Sequence, residues 1–217
     1  MRDSELLKKD LFGEVRREFV AAEPRIVRDA TTASRWLRWL ARRLLRREAR
    51  ALAALDGFDG VPRLIATDSL RLERRYIDGK PLHRARPDRP AYFHRAAKLL
   101  RGLHARDVVH NDLAKEPNLL VTPDGEPAII DFQLAWHSPR RGRLFRLLAY
   151  DDLRHLLKHK RTYCPAAMTI RERAILARPS LPSRIWTRTV KPPYLFVTRV
   201  LLGWSDREGA SERSSRP

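Results

Sequence analysis

The segment over residues 108–135 constrains the fold more than any other part of the chain, because polar residues interrupt its apolar runs at fixed places. It reads VVHNDLAKEPNLLVTPDGEPAIIDFQLA. The run PDG at 123–125 is typical of a tight turn, and it predicts a hairpin whose strands are NLLVT and PAIIDF. Ordinary turn and cap residues explain that turn well. They explain Asp131 poorly, since this carboxylate directly follows the apolar residues AII and stands inside a strand.

Three side chains with oxygen donors are placed at one end of this hairpin. Asp112 lies in the loop that precedes it, Asn118 opens its first strand, and Asp131 ends its second strand. Two carboxylates and one amide oxygen suit Mg²⁺ when the cation is held together with substrate phosphates. A carboxylate that does not bind the cation can accept the proton of a hydroxyl group. The segment therefore predicts a site for Mg²⁺ and phosphate chemistry.

A second constraint comes from the helix predicted between a cap at Thr31, Thr32 or Ser34 and about Leu55. At about 100° per residue, its leucines fall on one face and its arginines on the other. Glu48 falls in the middle of the apolar face. A buried carboxylate is costly unless a basic group pairs with it, so the helix predicts a buried cationic partner for Glu48. The alternative is a glutamate at the edge of the packed face that reaches solvent.

The rest of the chain alternates strand patterns with helical patterns, which predicts an α+β fold. Asp88 is the expected cap of a helix with Pro90 in its first turn. The expected strands cover 10–15, 18–21 and 25–28, with two more within 62–79, and the expected helices cover 89–106, 144–162 and 169–177.

Length and composition exclude several classes of protein. With 217 residues, 43% of them hydrophobic, the chain has room for one domain with a sizeable core. It has no apolar run long enough to span a membrane, and its charged N-terminus lacks a secretory signal. The single cysteine, Cys164, rules out an internal disulfide framework. These features favour the cytoplasm, or a peripheral place on the inner membrane.

The net charge of +19, from 45 basic and 26 acidic residues, is the strongest compositional signal. It favours a polyanionic partner: an anionic membrane surface, a phosphorylated glycan or a nucleic acid. Nucleic acid is not favoured, because no aromatic-basic RNA motif is found. A GC-rich genome, which raises arginine and alanine together, explains the charge equally well. Basic residues concentrate over 35–50, where Trp36 and Trp39 lie among them, and over 140–161, while the apolar segment 191–204 could lie on a bilayer or pack on the domain.

Residues 108–135 resemble the catalytic core of the protein-kinase-like superfamily, closest to the compact RIO-type and bacterial lipopolysaccharide (Kdo/heptose) kinases. Asp112 matches the catalytic aspartate, Asn118 the metal-binding asparagine, and Asp131 the metal-binding aspartate of a DFG-like motif, here DFQ. The resemblance implies a bilobal α+β fold. A small N-lobe with an antiparallel sheet and one helix would cover 1–79, and a mainly helical C-lobe with the catalytic hairpin would cover 80–203, followed by a polar flexible tail over 204–217.

Matches further upstream follow in the order that the family has. Gly13, in LFGEV, resembles the end of a glycine-rich nucleotide loop, and Glu48 falls where the family has its helix-C glutamate. Tyr76 and Ile77, in RRYIDG, resemble the hinge that receives adenine. In the C-terminal half, Asp152 resembles the helical aspartate that braces the catalytic loop, with an ordinary capping residue as the alternative.

The family's strand lysine, which contacts the nucleotide phosphates, has no lysine at the matching position. Arg28 stands there, in the run RIVR. Arginine can bind both carboxylate and phosphate, although it is bulkier than lysine. Lys9 on the first strand and Lys115 in the catalytic loop are the other candidates for the cation that faces the phosphoryl group. His110 is expected to bond the backbone of the loop rather than act as a base.

The resemblance implies an ATP-dependent phosphotransferase with ATP and Mg²⁺ as cofactors. Asp131 and Asn118 would hold the metal ion, and Asp112 would orient an acceptor hydroxyl. The expected activity is that of a serine/threonine protein kinase. A kinase that acts on a lipopolysaccharide-core sugar at the inner membrane surface is the first alternative, which makes the acceptor a protein or a lipid-linked sugar. A pseudokinase or basic scaffold without catalysis is the second alternative.

Overall fold

The structure is a computed structural model that describes residues 4–178 of the chain. The apolar segment 191–204 and the polar tail 204–217 lie outside the described residues. Within them the fold is mixed α+β, as expected, with a small antiparallel sheet and several helices.

A five-stranded antiparallel sheet occupies the N-terminal part of the chain. The strands are β1 (Ser4–Asp10), β2 (Gly13–Val20), β3 (Glu23–Asp29), β4 (Leu64–Thr67) and β5 (Arg71–Arg75), and one helix, α1 (Arg38–Ala54), connects β3 to β4. The strand order is β1-β2-β3-β5-β4, and neighbouring strands pair antiparallel throughout.

The first strand differs from the sequence prediction, which placed a strand over 10–15. The chain turns at Leu11 and Phe12 instead, and the Asp10 carboxylate accepts a hydrogen bond from the Phe12 N–H at 2.8 Å. Strand β1 begins earlier, at Ser4. Its neighbouring leucines Leu6 and Leu7 are both exposed, so no apolar alternation marks it in the sequence.

The start of α1 also differs from the prediction. The helix begins at Arg38 with Leu37 at the N-cap position, and no side chain caps it. Thr31 was a candidate cap, but its backbone N–H and its hydroxyl both donate to the Asp29 carboxylate, at 2.8 and 2.6 Å. The local turn after β3 therefore uses the polar group that a helix cap would need. The C-terminal end of the helix, at Ala54, agrees with the prediction.

The C-terminal part of the described chain is mainly helical, with two small sheets. The elements are β6 (Lys80–Pro81), α2 (Leu82–Ala85), α3 (Pro90–Ala105), β7 (Val108–Val109), β8 (Leu119–Val121), β9 (Pro127–Ile129), β10 (Trp136–His137), α4 (Arg143–Tyr163) and α5 (Ile170–Ala177). Helix α3 starts with Pro90 in its first turn, as predicted, but its N-cap is Arg89 and no side chain caps it, so the cap predicted at Asp88 is wrong. The predicted hairpin is confirmed, because β8 pairs antiparallel with β9.

Two buried apolar clusters meet along α1. The first half of the helix contributes Ala41 and Leu45 to a small cluster beneath the five-stranded sheet. The second half contributes Ala51 and Leu52 to a larger cluster formed with α3, α4 and the β8–β9 hairpin. Glu48 lies between these two sets of residues on the buried face of the helix. The fold thus places a charged side chain at the point where the two cores come together.

No helix among residues 4–178 is both long enough and apolar enough to cross a membrane.

Candidate functional site

The loop between β7 and β8 is tied to the end of β9 by a buried histidine. The His110 ring Nε2 lies 3.0 Å from the Ile130 carbonyl oxygen, and its Nδ1 lies 3.3 Å from the Asp112 backbone N–H. The ring packs edge-on against Phe132, with centroids 4.9 Å apart. The expectation that His110 bonds the loop backbone is therefore confirmed. Through these contacts the loop and the segment that carries Asp131 are held side by side.

A second brace comes from helix α4. The Asp152 carboxylate is 1% exposed, and it accepts hydrogen bonds from the backbone N–H groups of His110 at 2.7 Å and Asn111 at 2.9 Å. The His104 ring Nε2 lies 3.4 Å from the same carboxylate. Asn111 has a positive φ of 63°, a backbone conformation that asparagine tolerates better than most residues. Asp152 therefore fixes the loop backbone at two consecutive N–H groups, which excludes the alternative of an ordinary cap.

Asp112, Lys115 and Asn118 form one group of contacts within the loop. The Asn118 side-chain Nδ2 donates to the Asp112 carboxylate at 3.0 Å and to the Asp112 carbonyl at 2.9 Å. The Lys115 ammonium donates to the same carboxylate at 2.9 Å. The Ile130 N–H donates to the Asn118 carbonyl at 3.0 Å. These bonds orient Asp112 and place Asn118 directly beside the end of β9.

Asp131 follows β9 in the left-handed backbone region, with φ of 64°. Its Oδ1 accepts from the Arg28 guanidinium at 3.4 Å. Burial alone would raise the pKa of the Asp131 carboxyl, but the positive charges of Arg28 and Arg74, with smaller effects from His110 and Lys115, outweigh burial and hold that pKa below its usual value. Asp131 is therefore an ionised carboxylate at neutral pH.

Glu48 has two cationic partners, the buried Arg74 and the partly buried Arg28, which confirms the expectation drawn from its place on the helix. Its side chain is 0% exposed, with Oε1 at 3.2 Å from Arg74 Nε and Oε2 at 3.5 Å from Arg28 Nε. Arg28 also forms an ion pair with Asp131. Four charged side chains therefore form a line from β5 to the end of β9. We call Arg74, Glu48, Arg28 and Asp131 the ion chain. It joins α1 and the sheet to the segment that carries the DFQ motif.

Arg74 is the member of the ion chain that sequence reasoning missed. Its burial lowers the pKa of its guanidinium, against the opposing effect of the Glu48 charge. A signal was present in the sequence, because Arg74 lies two residues after Leu72 on a strand, and residues two apart point to the same face. Leu72 is 0% exposed, so Arg74 points into the same interior.

The structure does not bring Lys9 to this group. Its side chain is 66% exposed, and its ammonium contacts the Glu14 carboxylate at 3.0 Å. Together with Arg16, Lys9 lowers the pKa of Glu14 through hydrogen bonds and charge. Lys8, one residue earlier, is the lysine of β1 that lines a cavity next to Asp131. Arg28, by contrast, contacts the Asp131 carboxylate directly.

This cavity lies between the β1–β2 turn and the end of β9. Its lining includes Gly13, Arg28 and Asp131, together with Lys8 and Gln133. Gly13 has φ of +125°, and a Cβ on it would come within 2.1 Å of the Asp29 carbonyl oxygen. Close approach of the backbone to β3 therefore requires glycine at this position, whatever else the turn does.

Tyr76 and Ile77 do not line this cavity. The Tyr76 backbone N–H donates to the Pro24 carbonyl at 3.2 Å, and the Arg17 guanidinium lies 5.5 Å from the centre of the Tyr76 ring. Ile77 is half-buried. These two predicted residues are thus not among those that line the cavity next to Asp131, and the Tyr76 N–H already has a partner.

Carboxylate clusters do not by themselves define a metal centre here, because residues 4–178 contain no group of three or more histidine, cysteine, aspartate or glutamate side chains that could hold a metal ion. A cation at this site would depend on Asp112, Asp131 and the amide oxygen of Asn118, with the remaining ligands from water or a bound anion. Comparison of the sequence with protein-family models and with curated proteins gives no match.

The arrangement combines two kinds of chemistry in one place. Asp112 and Asp131 supply negative charge beside an amide oxygen, and Arg28 and Lys115 supply positive charge next to them. Such a set can hold a divalent cation and an anionic group at the same time, and it can orient a hydroxyl group toward Asp112.

Proposed function

We propose that this chain is an ATP-dependent phosphotransferase that transfers the γ-phosphoryl group of Mg-ATP to a hydroxyl group, and that its fold is a bilobal, protein-kinase-like one. The observation that carries the proposal is the tie between the two acidic segments. His110 and Asn118 both bond the backbone of Ile130, so the loop that holds Asp112 lies next to the strand end that holds Asp131. A structural hairpin does not need such a set of oxygen donors beside an ion chain.

The residues present fit Mg²⁺ held together with phosphates. The ion pair between Asp131 and Arg28 uses Oδ1, so Oδ2 takes no part in it. Asn118 uses its Nδ2 to orient Asp112, which leaves its oxygen as the donor for a cation. When bound, Mg²⁺ would neutralise charge on the phosphates, which is its usual contribution to phosphoryl transfer.

The protein's own side chains would position the reacting groups. Asp112, oriented by Asn118 and Lys115, would accept a hydrogen bond from the acceptor hydroxyl and take its proton. Arg28 and Lys115 would face the transferred phosphoryl group. Asp152 and His110 would keep the loop rigid, and such positioning supplies most of the rate enhancement in this type of reaction.

A serine or threonine of a protein is the proposed acceptor. A lipid-linked sugar is the second candidate, and the observation that favours it is the exposed, arginine-rich surface of α1, where Trp39 on the helix and Trp36 in the turn before it lie among basic side chains. The loss of the strand lysine and the bonded Tyr76 N–H favour a pseudokinase, which is one outcome of the experiment that follows.

Calorimetric titration with ATP, with and without Mg²⁺, tests the proposed function without knowledge of the acceptor. We expect binding that requires Mg²⁺ and that is lost in Asp131→Asn, because the amide cannot replace the charge of the carboxylate. The matched control is Asp124→Asn, which makes the same change at an exposed position in the hairpin turn. Unfolding curves of both variants establish that they are folded.

Two outcomes would contradict the proposal. Equal binding by wild type and Asp131→Asn would place the nucleotide elsewhere. If the folded wild-type chain does not bind ATP, the proposed enzymatic function is wrong, and the alternative of a pseudokinase or basic scaffold is favoured. A positive result leads to an acceptor screen with γ-labelled ATP, in which Asp112→Asn should abolish transfer while ATP binding is retained.

A further inference from the structure

The solvent-facing side of α1 carries an unusual set of side chains. At the centre of this side lies Trp39, which is 65% exposed. Trp36, in the turn just before the helix, is 62% exposed. At about 100° per residue, four exposed arginines lie within about 60° of Trp39. We call this set the α1 outer face: Trp36, Trp39, Arg42, Arg43, Arg46 and Arg50.

The α1 outer face has positive charge that is not paired within the described residues. Within the 17 residues of α1 the one acidic side chain is Glu48, which is buried on the opposite side. The side chains of the four arginines form no ion pair with an acidic side chain among residues 4–178. Like charges this close repel one another, so the face destabilises the isolated chain until an anionic surface approaches.

The two exposed tryptophans indicate which kind of anionic partner the α1 outer face binds. Two large aromatic side chains that are each more than 60% exposed gain little from folding. Leu11, which is 39% exposed, is bonded to the segment that precedes them, since the Ser34 N–H donates to the Leu11 carbonyl at 3.2 Å. Tryptophan prefers the boundary between the headgroups and the acyl chains of a bilayer, and arginine binds lipid phosphate there.

We propose that the α1 outer face binds the surface of an anionic lipid bilayer. The outward side of the helix presents tryptophan and arginine side chains together. Such a set fits a flat anionic surface into which the indole rings can insert. Single-stranded nucleic acid would instead need a groove in which bases stack on aromatic rings beside cations. The proposal does not depend on catalysis, since none of these six residues belongs to the candidate site.

Co-sedimentation of the full chain with lipid vesicles tests the proposal. Wild type is expected to pellet with vesicles of phosphatidylcholine and phosphatidylglycerol, but not with phosphatidylcholine alone. The variant with glutamine at Arg42, Arg43, Arg46 and Arg50 should bind several hundredfold more weakly, because four basic residues that each contribute about fivefold near an anionic surface multiply to roughly 600-fold. The matched control places glutamine at four exposed arginines elsewhere, Arg84, Arg89, Arg101 and Arg171, and lowers the net charge equally. It should bind as wild type does.

A second readout locates the contact. Lipids with brominated acyl chains should quench the tryptophan fluorescence of wild type, and Trp36→Phe with Trp39→Phe should remove most of that quenching. Retained quenching in this double variant would place the contact elsewhere and overturn the proposal. Equal pelleting of the two arginine variants would overturn it too, as would a short RNA that binds with the same dependence on the four arginines while vesicles do not bind.

Discussion

Removal of the Glu48 charge is the sharpest test of the ion chain. Glu48→Gln keeps the shape of the side chain but leaves Arg74, whose side chain is 8% exposed, without the carboxylate 3.2 Å away. Arg28 keeps Asp131 as a partner at 3.4 Å, so its loss is smaller. The buried Arg74 and the partly buried Arg28 then repel each other with less negative charge between them.

The size of the effect follows from the geometry. At an effective dielectric constant of about 20, two unit charges about 3 Å apart attract by about 5 kcal/mol, and the cost of desolvation offsets part of that attraction. Removal of one member of a buried ion pair typically costs about 3–5 kcal/mol, because an uncompensated charge stays behind. We expect Glu48→Gln to lower the free energy of unfolding by about 3 kcal/mol.

Urea unfolding measures this change. With a slope of about 2 kcal/mol per molar of urea, the midpoint should fall by about 1.5 M. The control is Glu126→Gln, whose partner Arg95 lies 2.8 Å away on the surface, with both side chains at least 41% exposed. That change should cost less than about 1 kcal/mol. If the two variants shift the midpoint equally, the account of Glu48 as a buried, charged partner is wrong.

Three further changes test the site and its supports. Asp152→Asn should lower the free energy of unfolding by about 2–3 kcal/mol, since an amide oxygen cannot replace a carboxylate that accepts two backbone N–H groups; urea unfolding measures it. Gly13→Ala should destabilise the fold because its Cβ would meet the Asp29 carbonyl at 2.1 Å, and an unchanged thermal midpoint would contradict this. The lowered pKa of Asp131 means that its pairing with Arg28 stabilises the protein above the unfolded pKa, near 3.8, and is lost as pH falls through the lower folded value. The loss of stability between about pH 6 and about pH 3 should therefore be smaller in Asp131→Asn than in wild type.

The parts of the fold that could be predicted are those whose signals are local. The hairpin follows from the turn at 123–125 and its apolar flanks, and the start of α3 follows from Pro90. Strand β1 could not be predicted in the same way, because it is an edge strand whose leucines face solvent. The helix cap after β3 was misplaced because Thr31 bonds Asp29 instead.

The candidate site also has parts that local sequence signals predict and parts that they do not. Glu48 predicts a buried cationic partner, because a carboxylate on an apolar helix face needs one. Arg28 is one of the cations that the sequence offers near the site. Arg74 lies 26 residues further along the chain, and it reaches Glu48 through the pairing of β3 with β5, which no local pattern encodes. The choice between Lys8 and Lys9 depends on a bulge in β1, between Leu6 and Lys8. A slip of one residue reverses the faces of a strand, so sequence alone could not decide which lysine lines the cavity next to Asp131.

The balance of charge in the ion chain bears on the order in which ligands would bind. Arg74 and Arg28 carry two positive charges, and Glu48 and Asp131 carry two negative ones, so the chain is neutral. A cation that approaches Asp131 alone is repelled by Arg28, which already balances that carboxylate. A cation that arrives with a polyphosphate also brings negative charge, and Arg28 can then turn its remaining donors to the phosphate. Under the proposed function, calorimetry should therefore show little binding of Mg²⁺ alone and clear binding of Mg²⁺ with nucleotide. Tight binding of Mg²⁺ in the absence of nucleotide would refute this account of Arg28.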